Sequence, residues 1–131
     1  VTLNPEERDA LQGLLASEKE RTAATEEALV AELEAIIEAS AQSNSDDEHD
    51  PEGATVGFER ARVASQLDAA RRRLSELDEA AERLGTDAFG TCRRCGKPIA
   101  FERLAAHPTA VTCVACADTP ARPALRRRAG P

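Results

Sequence analysis

The sequence predicts a mainly α fold: a long antiparallel coiled-coil hairpin of two helices, with a small four-cysteine module at its base. Three observations predict it. An unbroken apolar heptad runs from Val63 to Leu84, a loop-forming acidic stretch precedes it, and two C-x-x-C pairs follow it. The composition agrees, because 131 residues contain three phenylalanines (Phe58, Phe89, Phe101) and no Trp, Tyr or Met. So few large side chains cannot fill a large globular core, whereas elongated helices and a cross-linked module need less.

The first helix opens at Asn4-Pro5-Glu6-Glu7. Asn4 is a capping residue, Pro5 suits the first helical position, and Glu7 completes a capping box. The helix should run to about residue 42, with apolar marks at Leu11, Leu14, Leu15, Ala28, Leu29, Leu33, Ile36 and Ile37. Its middle, Glu18 to Thr25, is polar or small, so the seam weakens there. Ser40 to Ser45 breaks the pattern, and Asp46-Asp47-Glu48-His49-Asp50 leads into Pro51 and Gly53, which is loop chemistry. Asp50 is the cap expected for the second helix, with Pro51 as its first residue. In that helix Val63, Leu67, Ala70, Leu74, Leu77, Ala81 and Leu84 step by four and three, as a coiled-coil seam does. Gly85 is expected to end it in the left-handed conformation.

Two long helices joined by a short loop lie antiparallel. Setting Leu11 opposite Leu84 puts Thr25 opposite Ala70, Leu29 opposite Gln66 and Ile36 opposite Glu59. The first of these matches small with small, and the other two imply a slip of about one residue. This register places the acidic run at the hairpin tip, roughly 50 Å from the cysteine end at 1.5 Å per residue. The expected units are a hairpin over 1–90 with its tip at about 43–55, a cysteine module over 91–118, and a basic, proline-containing, disordered tail over 119–131.

Cys92-Arg93-Arg94-Cys95 and Cys113-Val114-Ala115-Cys116 are separated by the 17 residues Gly96 to Thr112. Each two-residue gap lets one tight turn present two sulfurs to one ion, and Gly96 supplies a positive φ after the first pair. Four thiolates suit a tetrahedral Zn²⁺ and close its shell, so one structural zinc is expected and no catalysis by it. Two disulfides or a redox dithiol are the other readings. The first belongs to secreted chains and the second to a βαβ setting, and neither context is visible. His107 is not needed as a ligand. Pro98, Ile99 and Phe101 should cover the knuckle, and Arg103-Leu104 should start a short turn.

Charge is uneven. Residues 1–54 carry 15 acids and 3 bases, residues 55–90 carry 7 and 6, and residues 91–131 carry 2 and 8. The acidic front half repels nucleic-acid phosphates, which argues against a simple duplex binder. The basic end, with Arg93, Arg94, Lys97 and Arg103 beside the cysteines and Arg122, Arg126, Arg127 and Arg128 in the tail, could face nucleic acid or an acidic protein surface. No run of about 18 apolar residues exists, and no targeting peptide is visible, so a cytoplasmic protein off the membrane is expected. The acidic tip does not fit a calcium loop, and a two-helix tip offers no pocket of its own to shift a carboxylate pKa.

The helical hairpin, the acidic tip, Phe89-Gly90-x-Cys92-x-x-Cys95-Gly96, Pro98-Ile99, Arg103-Leu104, Pro108 and Cys113-x-x-Cys116 together resemble the DksA/TraR C4-type zinc-finger proteins. The resemblance spans about residues 5–117 and is most specific from Phe89 to Cys116. It implies a non-enzymatic bacterial transcription regulator, monomeric and cytoplasmic, that binds RNA polymerase and not a specific DNA sequence. In that family the hairpin enters the polymerase secondary channel and modulates initiation, often with the alarmone ppGpp of the stringent response. The family's tip pattern is D-x-x-D-x-A. Asp47 and Asp50 supply its aspartates, Glu52 stands where the alanine belongs, and Ala54 follows two residues later. The resemblance thus implies Asp47, Asp50 and Ala54 as the residues facing the polymerase active centre. The runner-up reading is a zinc module that binds nucleic acid through the basic end.

Overall fold

The fold is seen in a computed structural model that describes residues 3–43 and 51–118, with side chains described for 3–42 and 54–118. Two long helices, α1 (Pro5–Ser43) and α2 (Pro51–Leu84), pack along one another. Two short helices, α3 (Phe101–Ala106) and α4 (Val114–Ala117), belong to the cysteine module. At 1.5 Å per residue the 34 residues of α2 make a stalk about 50 Å long.

The capping box forms as the sequence requires. The Glu7 amide donates to Asn4 Oδ1 at 2.7 Å, and the Asn4 amide donates to Glu7 Oε1 at 3.1 Å. Two amides that have no helical partner are thereby satisfied. The far end of α2 is finished differently from expectation. Gly85 does not take a positive φ; only Gly90 and Gly96 do among the described glycines. The chain leaves through short-range bonds, Gly85 N–H to Glu82 O at 3.2 Å and Thr86 N–H to Arg83 O at 2.8 Å. The remaining carbonyls are met from the other helix, where the Arg8 guanidinium donates to Leu84 O and, at 3.4 Å, to Thr86 O. A cation on the last carbonyls of a helix also opposes its dipole.

The seam has two separate cores. At the base, Leu11 and Leu15 of α1 meet Leu77, Ala80 and Leu84 of α2 and Phe89, Cys92, Ile99 and Leu104 of the module. Farther out, Leu29 meets Val63, Leu67 and Ala70, with Val30, Leu33 and Ile36 partly covered beside them. The predicted heptad fails at two positions. Leu74 is half-buried, and Ala81 is exposed while Ala80 is fully buried. A straight helix of 3.6 residues per turn drifts away from a 3.5-residue seam, and Ala80 lies on the flank that the module covers. In α1, Leu14, Ala28 and Ile37 lie outside the seam and are exposed.

Cross-helix pairs straddle the derived register: Lys19 with Asp78 at 2.6 Å, Arg71 with Glu26 at 2.9 Å, and Arg62 with Glu32 at 3.6 Å. Most of these side chains are about half exposed, so each pair contributes at most ~1 kcal/mol. Between the two cores Thr22 and Thr25 face Gln66, Ala69 and Ala70 across a shallow groove of about 710 Å³. This is the polar or small stretch of α1, and the helices there enclose little apolar surface.

Candidate metal centre

The first cysteine pair is built by two left-handed glycines. Gly90, at φ 89°, turns the chain so that its carbonyl accepts the Ile99 amide at 2.7 Å, beside an antiparallel bridge between Thr91 and Pro98. Gly96, at φ 78°, folds the knuckle back, with its amide on Cys92 O at 2.9 Å and the Cys92 amide on Lys97 O at 2.8 Å. A residue with a Cβ is strained at either φ. The positive φ expected at Gly96 is therefore present. The Arg94 amide points at Cys92 Sγ at 3.4 Å, a contact that favours a thiolate.

The second pair rides on a helical turn that the sequence reading did not foresee. Cys113 is the N-cap of α4 and Cys116 lies inside it, with the Ala117 amide on Cys113 O at 2.9 Å. Backbone and side-chain bonds tie this turn to the rest of the module. The Arg93 amide donates to Val111 O at 2.9 Å, and Arg103 Nε donates to Thr112 O at 2.7 Å. The bend that Arg103-Leu104 was expected to start is the six-residue helix α3, whose Leu104 is fully buried in the basal core.

The four sulfur atoms of Cys92, Cys95, Cys113 and Cys116 all lie within 4.8 Å of one another, and Cys95 Sγ is 3.8 Å from Cys113 Sγ. A tetrahedral zinc with bonds of about 2.3 Å holds its sulfurs about 3.8 Å apart. A disulfide would need about 2.05 Å, and all four cysteines are free. The donor set also asks for a cation. Burial opposes ionisation of Cys92, but the amides of Cys95, Cys113 and Arg94 outweigh it and bring the thiol down to about 6. The Cys113 thiol is lowered too, chiefly by the Cys116 amide. Cys116 is pushed up to about 12, first by burial and then by the neighbouring thiols. Four sulfurs this close cannot all ionise unless a positive ion sits among them. The residues fit a structural Zn²⁺, which they would enclose with no position left for water or substrate.

Of the other site residues drawn from the sequence, Asp47 and Asp50 lie outside the described residues. Ala54 is exposed on the first turn of α2. Arg93, Arg94 and Lys97 are exposed on the first knuckle. Arg103 is half-buried and holds the Thr112 carbonyl, and Arg94 Nη1 donates to Cys116 O at 3.3 Å, so both brace the module. His107 is exposed, and the sulfur cluster does not include it.

Sequence reasoning missed Arg73. Its guanidinium donates to Glu18 of α1, to Glu76 of α2 at 3.2 Å and to Thr109 Oγ1 of the module at 2.8 Å. Burial opposes its charge, but the bonds to Glu18 and Glu76 outweigh this and raise its pKa further. It joins three parts of the molecule at one point, and partners 55 and 36 residues away leave no local signal.

Residues 88–119 match the prokaryotic dksA/traR C4-type zinc finger. No curated protein is similar enough to match the chain. The solved structure of transcription factor DksA2 from Pseudomonas aeruginosa aligns with a TM-score of 0.73 at 25% identity, covering 88% of this chain and 83% of that one. That alignment takes in the stalk as well as the finger, since the finger match alone spans 32 residues. The finger is thus similar to the dksA/traR C4 type, and finger and hairpin together are similar in fold to DksA2.

Proposed function

We propose that this protein is a bacterial transcription regulator that binds RNA polymerase, carrying the hairpin tip into the secondary channel to alter initiation. The observation that supports this best is the match to a transcription factor over 88% of the chain, stalk and finger alike. The proposed division of labour follows the sequence. The hairpin of residues 1–90 delivers the tip, the finger of 91–118 fixes its base, and the tail of 119–131 lies beyond. A stalk of about 50 Å on a rigid base holds a small tip at a set depth. Asp47 and Asp50 would act there, near a catalytic Mg²⁺, through their charge, with Ala54 beside them. The protein is proposed to work as a monomer in the cytoplasm, with ppGpp as a co-effector at the polymerase interface. No described helix is long and apolar enough to cross a membrane. Its role is binding, since a zinc closed by four thiolates has no open position for chemistry.

The test is to measure polymerase binding and transcription on the same variants. Asp47→Asn and Asp50→Asn should change stability by no more than about 0.5 kcal/mol and leave binding intact. Both should sharply reduce regulation in a purified transcription assay, with Asp46→Asn and Glu52→Gln losing less. Equal small effects at all four positions would reduce the acidic run to a solvated loop. A pull-down in which nuclease releases the protein from polymerase would favour the nucleic-acid reading instead. Repeating the transcription assay with and without ppGpp decides the co-effector.

A further inference from the structure

The outer side of α2 carries a second stripe that the fold leaves exposed. At 3.6 residues per turn Ala54, Phe58, Ala61 and Ser65, spaced by four, three and four, lie opposite the seam of Val63, Leu67 and Ala70. All four are exposed, and Phe58 is 78% exposed. The other two phenylalanines serve the base, Phe89 buried in its core and Phe101 packed against it. We propose that this face of α2, with Phe58 as its anchor, docks into an apolar socket beside a basic patch in the wall of the polymerase secondary channel. The inference rests on the polymerase reading and adds a side contact separate from the tip aspartates.

Three observations support the docking face. A single exposed apolar residue is ordinary, but this one stands on uncharged ground in a chain that is 31% charged. Gly57 and Ala64 beside the stripe are uncharged too, and the same side of α2 turns charged only farther along, at Asp68, Arg72 and Glu79. Gly57 is the second observation. It has no positive φ, and a Cβ built there meets nothing within 4 Å, so neither backbone nor packing calls for glycine. Glycine weakens a helix interior, and its use on an open face is to let another surface approach the backbone. Third, the turn that presents Phe58 is held. Arg62 bonds Glu59 and, at 3.2 Å, Gln66, and reaches Glu32 of α1 at 3.6 Å, so the ring is offered from a fixed helix. Area and charge select the occupant. One phenylalanine with small neighbours offers roughly 300 Å², against about 800 Å² per partner in a stable complex, so the face cannot hold a dimer alone and suits one part of a larger interface. Each chain carries a net charge of −7, and five acids within residues 46–52 precede the stripe, which repels a second copy and draws a basic surface.

The experiment measures polymerase binding by competition with a labelled parent chain, on full zinc-loaded variants whose thermal melts are recorded alongside. Phe58→Ala should weaken binding about tenfold with an unchanged melt, since the ring is exposed in the free protein. Gly57→Gln should melt no lower than the parent and yet bind more weakly, a divergence that a structural role would not produce. Ala61→Arg should weaken binding, while Ala31→Arg, exposed on α1, should bind as the parent does. Parent-like binding by Phe58→Ala would overturn the docking face and leave the polymerase reading standing; a parent chain that does not bind polymerase removes both. Equal losses at Ala31→Arg and Ala61→Arg would overturn it as well, because bulk anywhere on the stalk would then suffice. A concentration-dependent dimer in sedimentation that Phe58→Ala dissolves would assign the face to a second copy and overturn it too.

Discussion

At the base of the hairpin Leu11, Ala80 and Leu104 are 0% exposed and Leu77 1%, with Leu84 at 9%, whereas in the distal half Val63 alone reaches 0%, Leu29 and Ala70 keep 9% and 8%, and Leu33 and Ile36 are only half-covered. The difference is one of layers. At the base a third element, the finger, brings Phe89, Ile99 and Leu104 onto the two helices and closes the seam from the side. Among the described residues the two helices of the distal half have only each other, and each leaves most of its circumference uncovered. Two helices alone bury a narrow stripe, and the cross-helix pairs Glu26–Arg71 and Glu32–Arg62 that flank it add at most ~1 kcal/mol each. The metal-held module therefore stabilises the stalk as well as itself.

Removing the metal tests this dependence most severely. Cys113→Ser or a strong chelator should unfold the finger, strip three side chains from the basal core and lower the melting temperature by more than about 10 °C. Metal content and far-UV melting measured together check it; a metal-free chain with the parent's melting curve would mean that the finger does not hold the base. Acid should act in the same direction. Zinc needs thiolates, so protons displace it as pH falls. A zinc titration at neutral pH should release protons, because Cys116, at about 12, begins protonated, while Cys92, at about 6, contributes few.

Truncation of core residues grades the two halves directly. Leu11→Ala and Leu77→Ala should cost about 3–4 kcal/mol, and Leu29→Ala and Leu67→Ala about 2 kcal/mol, because the distal site can collapse toward solvent. For the same reason Leu77→Asp should be far worse than Leu74→Asp, whose side chain can reach water. Equal losses in denaturant melts would erase the distinction between the halves.

Smaller changes address how the finger is fastened. Arg73→Met removes the only described side chain that bonds α1, α2 and the Thr109 loop together, and should cost about 1 kcal/mol. Its more telling signature is faster amide exchange around Thr109 with the distal half unchanged. The glycines give the finest test. Gly90→Ala and Gly96→Ala force a Cβ into positive φ and should each cost about 1–2 kcal/mol. Gly85→Ala meets only Glu82 O at 3.6 Å and has no such φ, so it should be neutral or slightly stabilising. A large loss at Gly85 would restore the left-handed cap that the sequence suggested.

The sequence by itself determined what local chemistry dictates. Asn4-Pro5-x-Glu7 fixes the start of α1, Pro51 the start of α2, and the seam of Val63, Leu67, Ala70, Leu77 and Leu84 the pairing face. The cysteine spacing determined the metal set, because two-residue gaps admit little besides a knuckle, and it required a left-handed Gly96. Tertiary structure decided whatever depended on a second surface. Burial of Ala80 in place of Ala81 follows from where the finger lands, and nothing in the heptad carries that information. The exit of α2 was decided by Arg8, whose guanidinium reaches carbonyls 76 and 78 residues away and makes a left-handed Gly85 unnecessary. Arg103 and Arg73 read as surface charge in the sequence and became braces once Thr112, Glu18 and Thr109 came within reach. A cap, a heptad and a knuckle are short-range constraints of backbone geometry. The role of a long charged side chain is set by which acceptor the fold brings to its tip.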